Sequence, residues 1–292
     1  MGDCKEGDIV VRKKYGGDVM FRIVNIVEND DGLELAILKG LYLRLIADAP
    51  LGDLKLVSPH DFDTQRLKTE VLGQDHINQA LRRRGKREKT YWRNEPYEKK
   101  EKRLPFFDIP GRVLHIDGDQ EYLDLCLKTY QQMSIPVVGK RATEKEQPEI
   151  IVDLLKEVQP DIVVLTGHDA VLGGSRNLSD VNNYRHSKYF VQAVENIRRY
   201  CCNKDDIVIF AGACQSHYES ILAAGANFAS SPQRIFIHCY DPVFIAEKVA
   251  YTPIGQTVAI NDAITSSITG IEGVGGIETR GKFRLGLPKS AY

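Results

Sequence analysis

Short alternating runs of apolar and polar residues fill the first fifth of the chain. Longer apolar blocks, separated by helical stripes, fill the last two thirds. Between residues 7 and 57 the pattern is β-type: apolar runs at 9–11, 19–27, 33–38 and 41–47 are separated by Gly7-Asp8, Gly16-Gly17, Asn29-Asp30-Asp31-Gly32 and Gly40. Gly, Asn and Asp adopt the turn conformations that close short antiparallel strands, so this segment is expected to form a small SH3-like β-barrel of four or five strands. Such barrels act as adaptors or as scaffolds packed on a neighbouring domain.

Beyond residue 110 strand and helix signals alternate. Strands are predicted at 112–116, 135–138, 161–165 and 206–210, the last two almost wholly apolar. Between them, Leu123, Cys126, Leu127, Tyr130 and Met133 recur at helical spacing over 120–133. The same spacing places Ile150, Ile151, Leu154, Leu155 and Val158 on one face over 146–158, and Phe190, Val194, Ile197 and Cys201 over 187–201. Continuous apolar strands alternating with amphipathic helices describe a mainly parallel sheet covered on both faces, a doubly wound α/β domain. Further strands are expected at 234–239 and 283–287, and a helix starting near Ser216.

The chain has 292 residues, enough for a large domain plus a small one, and a formal charge of −1. That balance excludes a protein that coats nucleic acid electrostatically. It also hides an asymmetry, because residues 80–103 hold eleven Lys or Arg against four Glu, a surplus of seven. Apolar residues are sparse there, which predicts an exposed linker, helical in part. The division expected is therefore a barrel over 1–60, a basic linker over 61–103 and an α/β domain over 104–292. No apolar run reaches membrane-spanning length, the start lacks the apolar core of a signal peptide, and the six cysteines follow no disulfide-framework spacing, so a cytoplasmic setting is expected.

In open α/β sheets the site lies beyond the carboxyl ends of the strands. Two apolar strands end in reactive residues here, one in Thr166-Gly167-His168-Asp169 and the other in Ala211-Gly212-Ala213-Cys214. A cysteine after a buried strand is by itself usually an inert core thiol. A histidine ending a second such strand changes that reading, because one imidazole can take the thiol proton and later protonate the leaving amine. His168 and Cys214 are thus the candidate catalytic pair. Backbone N–H groups around Gly167, Gly212 and Ala213 are candidates for binding an oxyanion, and a helix near Ser216 would lower the thiol pKa. Cys126 and Cys201 sit on apolar stripes and read as core. Cys214 and His217 form a C-x-x-H, but no second paired spacing supports zinc, and neither metal nor cofactor is expected.

The two blocks, each apolar and ending in a His beside Gly or in Ala-Cys, resemble the caspase-like cysteine peptidases. A more extensive resemblance, over essentially the whole chain, is to the YabG family of sporulation peptidases. It rests on the segments at 7–13, 114–119, 166–169, 184–188, 210–217, 224–232 and 275–281. The resemblance implies a caspase-like fold for the α/β domain, with Cys214 as nucleophile and His168 as general base and acid. It also implies proteolysis of spore coat and cortex proteins during sporulation, in the mother cell, with the protease ending at the coat. In caspases the residue after the His is Gly, whose backbone N–H helps bind the oxyanion; here that position is Asp169, and the resemblance implies the same backbone role for it. Caspases carry Gln two residues before the Cys; Gly212 stands there instead, so cleavage after Asp is not expected.

Cleavage after Arg or Lys requires a buried carboxylate. Asp117 and Asp119, ending the first strand of the α/β domain, are the candidates, with Asp241 a further one. Asp117-Gly118-Asp119 could equally be a polar turn. His186 precedes a helix that Ser187 would cap, and is a candidate cleft residue. An Arg- or Lys-cutting domain next to a basic linker makes Arg82, Arg83, Arg84 and Arg87 candidate self-cleavage sites, although binding nucleic acid is the simpler use of such a run. The alternative from another class is a non-catalytic coat adaptor that binds protein or nucleic acid through barrel and linker.

Overall fold

A computed structural model describes residues 4–29, 32–93, 107–173 and 177–286, with side chains of 86–93 excepted. The chain opens with β1 (Ile9–Arg12), β2 (Met20–Glu28), β3 (Glu34–Gly40), β4 (Ile46–Pro50) and β5 (Leu54–Leu56). They form an antiparallel sheet in the order β4-β3-β2-β1-β5. Gly16, Gly17 and Gly32 take positive φ at the turns, a conformation that costs glycine little. Val10, Phe21, Ile23, Ala36, Leu38, Leu45, Ala49 and Leu54 are buried in one apolar cluster.

A 35-residue helix, α1 (Pro59–Arg93), follows directly. The basic run therefore begins inside a continuous helix, where Arg82 and Arg83 are exposed and Arg84 is docked on the α/β domain. Ile77 and Ala80 are buried in the core of the α/β domain. Arg84 donates from Nε to Glu247 (2.9 Å) and from Nη1 to the Met133 carbonyl (2.7 Å), and its guanidinium lies 3.3 Å from the Tyr251 ring centroid. The sparse apolar residues of the sequence concealed this, because the helix docks through a few scattered positions, with His76 also packed on the Phe244 ring.

The remaining elements are β6 (Phe107–Ile109), β7 (Val113–Asp117), α2 (Gln120–Gln132), β8 (Val137–Arg141), α3 (Gln147–Val158), β9 (Ile162–Thr166), α4 (Ser187–Tyr200), β10 (Val208–Ala211), α5 (Tyr218–Ala223), β11 (Phe228–Ser230), α6 (Asp241–Tyr251), β12 (Thr257–Val258), α7 (Ile260–Ile264), β13 (Val274–Gly276), β14 (Thr279–Arg280) and β15 (Arg284–Gly286). Six of the strands make one sheet in the order β13-β11-β10-β9-β7-β8, parallel except for β13. Short ladders join β12 to β14 and β6 to β15. The period of two splits the strands' side chains between two cores. Val113, Ile162, Val164, Val208 and Phe210 face α1, α2 and α6, whereas Leu114, Ile116, Val163, Leu165 and Ile209 face α3, α4 and α5. The molecule is thus a mixed α/β protein, a mainly parallel sheet flanked by helices and preceded by a separate antiparallel sheet.

Two expectations are corrected. Residues 234–239 are not a strand of the main sheet; β11, three residues long, takes that place, and 234–239 is irregular chain, bent at Arg234 (φ +55°) and turning at Cys239, with one antiparallel bridge, His238 to Leu43. The helix expected at Ser216 starts at Tyr218 and spans six residues.

Removing the cation that pins α1 leaves buried Glu247 with the longer contact to Arg83 (3.6 Å) in place of its hydrogen-bonded partner, and breaking a largely buried pair is destabilising. Arg84→Ala should lower the unfolding free energy by about 2–3 kcal/mol in urea titrations, with Arg83→Ala, at an exposed position, within about 0.5 kcal/mol of the parent.

Candidate active site

From β7 the chain steps outward to β8 on one side and returns through β9 on the other. The carboxyl ends of β7 and β9 therefore flank the switch point where open α/β sheets form their crevice. Asp117 and Asp119 come off β7, and His168 comes off β9. The neighbouring strand β10, in register with β9 (Ala211 opposite Leu165), delivers Cys214 at the same edge.

His168 is held at three points. Its Nε2 lies 2.9 Å from Asp119 Oδ2, its N–H donates to Glu144 Oε1 (2.6 Å), and its carbonyl accepts from His186 Nδ1 (2.7 Å). Asp119 is itself fixed as the N-cap of α2, accepting from the N–H groups of Glu121 and Tyr122, and by Lys39 Nζ from the tip of β3 (2.7 Å). Burial alone would raise the Asp119 carboxyl; the bonds from His168 and Lys39 hold it well below the usual range. Gly118 and Gly167 have a steric role, since a Cβ at either would overlap the Glu144 carboxylate.

Gly212 (φ +112°) turns the chain after β10, and a side chain there would be strained. Ala213 donates its N–H to Ser216 Oγ (2.9 Å), so that donor is occupied. Ser216 Oγ donates to Asp169 Oδ2 (2.9 Å), which also takes the Ser187 hydroxyl (2.5 Å), while Asp169 Oδ1 accepts from the N–H groups of Ala170 and His186. Ser187 Oγ in turn accepts from the His217 N–H (2.7 Å). Asp169 therefore ties the histidine loop, the start of α4 and the cysteine loop into one network. Burial pushes its carboxyl above the ordinary range in spite of these donors.

Cys214 is fully buried, and its sulfur accepts from the Ile237 N–H (3.2 Å). Burial pushes the thiol up to about 12, against hydrogen bonding from the backbone of Ile237 and Arg44 and the Arg44 charge. That burial overrides the expected lowering by a helix N-terminus; the helix there, α5, is six residues long and capped by His217. No hydrogen bond joins Cys214 to His168: Nε2 is taken by Asp119, and Nδ1 is buried without a partner.

The cover over the sulfur is the chain's own N-terminal sheet. Cys214 and Ile237 share an apolar cluster with Phe21, Ile23, Leu38 and Leu45. The loop joining β3 to β4 reaches into the crevice. Arg44 donates its N–H to the Ile237 carbonyl (3.2 Å), and Cys239 donates its N–H to the Tyr42 carbonyl (2.8 Å). The Arg44 guanidinium is wholly buried, with Nη1 2.7 Å from Asp117 Oδ2 and Nη2 3.3 Å from the Cys239 carbonyl. Asp117 is equally buried and also accepts from Thr166 Oγ1 (3.0 Å) and the Asp119 N–H (3.0 Å). Burial would raise its carboxyl, but Arg44 and His115 hold it well below the usual range. Tyr122, beneath the loop, donates its hydroxyl to the carbonyls of Gly40 and Leu43 and packs against the His168 ring.

The other predicted residues lie as follows. Asp241 is buried as a brace: it accepts from the N–H groups of His238, Ile268 and Thr269 and from the Thr269 hydroxyl. Its carboxyl is thereby committed to the loop rather than aimed at the crevice. Arg82, Arg83 and Arg84 are on α1, and the Arg87 side chain lies outside the described residues. Glu144, Lys39, Tyr122 and Arg44 were not singled out in the sequence; for Arg44 the one signal was a cation inside an apolar run. Among the described residues no group of three or more His, Cys, Asp or Glu is placed to hold a metal ion, and no helix is long and apolar enough to cross a membrane.

The carboxyl edge of this α/β sheet carries His168, Cys214 and the carboxylates of Asp117 and Asp119, and the chain is a peptidase: it belongs to the family described as YabG peptidase U57, whose model matches residues 5–288. Within that family it is 43% identical to the sporulation-specific protease YabG of Bacillus subtilis (strain 168), over 97% of each chain. Among solved structures it is similar to the receiver domain of RcsB from Salmonella enterica serovar Typhimurium (13% identity, TM-score 0.27, 40% of this chain and 74% of that one). The receiver domain of the histidine kinase CKI1 from Arabidopsis thaliana is similar to the same extent (13%, 0.27, 40% and 79%). Likeness at that level carries no functional argument.

Because the Glu144 carboxylate fills the space beside Gly118 and Gly167, Gly167→Ala should lower the melting temperature by several degrees, an effect of about 1–3 kcal/mol for overpacking. Adding Glu144→Ala should recover part of that loss in calorimetry, since the clash is then removed. Additive losses would mean that the two positions do not interact.

Proposed function

We propose that this peptidase is a cysteine endopeptidase cleaving after Arg or Lys, with Cys214 as nucleophile and His168 as general base and acid. The observation that carries the reading is Arg44, a guanidinium seated on buried Asp117 beside Cys214 at the carboxyl edge of the sheet. A pocket that binds one arginine there would bind another. Arg44 also supports assigning Asp117, rather than Asp119 or Asp241, as the carboxylate that reads the substrate.

Asp119 is then a positioning residue that holds His168 by Nε2 and leaves Nδ1 to move the proton. The sulfur attacks the scissile carbonyl as His168 removes the thiol proton. The C–N bond breaks as the same proton passes to the leaving amine, and water hydrolyses the resulting thioester. The backbone N–H groups of Gly167 and Asp169, on either side of His168, are the proposed oxyanion donors. For the chemistry to start, the sulfur must leave the Ile237 N–H and shed its cover, because a thiol near 12 is almost wholly protonated at neutral pH. As for self-cleavage, Arg84 is bound to Glu247 and Arg82 and Arg83 are helical; Arg44 is the arginine placed beside the thiol, and we assign self-cleavage to the Arg44–Leu45 bond.

The family relation and the relative's sporulation-specific name support placing the activity in sporulation. We assign its substrates to proteins of the spore coat and cortex, processed in the mother cell, with the enzyme ending at the coat.

Peptides differing only at the residue before the scissile bond test this directly. Arg and Lys should be cut at least about a hundredfold faster than Asp or Leu, and Cys214→Ala and His168→Ala should abolish turnover; best turnover after Asp or Leu would refute the specificity. The guarded thiol gives a second test. At pH 8 iodoacetamide should modify Cys214 slowly, and Arg44→Gln, which frees the tip, should raise the rate about tenfold or more as the sulfur becomes accessible to solvent. An unchanged rate would mean that the tip does not guard the sulfur.

A further inference from the structure

The β3–β4 tip shows more than an occupied arginine pocket. Tyr42 and Arg44 bracket a short antiparallel ladder with Ile237–Cys239, in which the Arg44 N–H and the Tyr42 carbonyl make the two backbone bonds and Leu43 pairs with His238. An extended peptide added to an open edge in this way takes its affinity from the backbone and its selectivity from alternate side chains. One of those alternate side chains is Arg44. The other is Tyr42, whose ring lies parallel to the His238 imidazole (interplanar angle 9°, centroids 6.2 Å apart).

That imidazole is firmly placed. Its backbone N–H is bonded to Asp241 and to Thr269, its Nδ1 accepts from the Tyr240 N–H (3.2 Å), and the Tyr240 ring packs against it (5.1 Å). Tyr42 and Tyr240 together open onto a groove of about 400 Å³ between α1 and α2, lined by Gly73, Gln74, Leu125 and Thr129. A Cβ on Gly73 would press on the Tyr240 ring, so the small residue keeps this ring and the groove in their present shape.

We propose that His238 and Tyr240 form a second specificity subsite, one that selects an aromatic side chain two residues before the arginine at which the chain is cut. The assignment rests on the arginine-directed reading above. Its substrates are thus protein segments of the form aromatic–X–Arg that can lie extended along 237–239, and Tyr42-Leu43-Arg44 is the chain's own example. Offset stacking of an aromatic pair is worth roughly a factor of ten beyond area burial.

Acyloxymethyl ketones carrying Tyr-Leu-Arg or Ala-Leu-Arg would test this, with labelling of Cys214 followed by mass spectrometry on the native chain and on Arg44→Gln, in which the pocket is vacated. The Tyr compound should label about tenfold faster than the Ala compound on Arg44→Gln. The ratio should fall below about twofold when His238→Ala is added. Should that variant fail to fold, the ratio of the two compounds on Arg44→Gln decides alone. Equal rates for both compounds overturn the subsite and leave the arginine preference standing. If Cys214 is labelled only by compounds ending in Leu or Asp, or by none, the arginine-directed reading falls and the subsite falls with it.

Discussion

The ion pair between Arg44 and Asp117 joins the two halves of this molecule. Both groups are withdrawn from water completely, and an ion pair so placed is tolerable only when its geometry is good and its remaining lone pairs are met. Thr166 Oγ1 and the Asp119 N–H meet those of Asp117, and the Cys239 carbonyl meets one edge of the guanidinium, while Arg44 Nε is buried without a hydrogen-bond partner. The rest of the docking is arranged around this point. Lys39 reaches Asp119, Arg22 reaches Glu121, and the Tyr122 hydroxyl takes the carbonyls of Gly40 and Leu43. Losing the pair would leave a bare carboxylate in a closed site, at a cost of about 3–5 kcal/mol, so the N-terminal sheet and the crevice are ordered as a unit.

A second constraint is steric. The loops carrying Asp117 and His168 converge on a small volume, and the Glu144 carboxylate stands in it as a post. Gly118 and Gly167 are the residues that can pass that post, while the Asp169 network with Ser187 and Ser216 ties the histidine and cysteine loops together from the other side. The sheet brings the strand ends to one edge; these polar contacts decide which way each side chain then faces.

Much of this frame was legible in the chain. The apolar runs ending in His168 and Cys214 are strands β9 and β10, neighbours in the sheet, and Asp117-Gly118-Asp119 does end β7. These features are local: a period of two, a period of 3.6 and a glycine after a strand. What escaped notice depends on distant pairing. Arg44 reads as one polar position in an alternating strand, and nothing nearby announces a partner 73 residues later. Residues 234–239 have the composition of a strand, but β11 and β13 occupy the sheet, and the segment pairs instead with the tip. Burial of Cys214 beneath another module is likewise invisible locally, and it reverses the thiol pKa that a helix N-terminus would suggest.

The connection between the two halves has a kinetic consequence. Only Val57 and Ser58 separate β5 from α1, and α1 is fastened to the α/β domain through Ile77, Ala80 and Arg84. A tip that lets go of Asp117 therefore cannot diffuse away. Tethered over so short a span, it returns at an effective concentration on the order of millimolar, far above what a scarce partner in solution can reach. Any external peptide seeking the Asp117 pocket must outbind that tip, or arrive after the connection has been broken. The length of two residues thus acts as a threshold on ligand concentration.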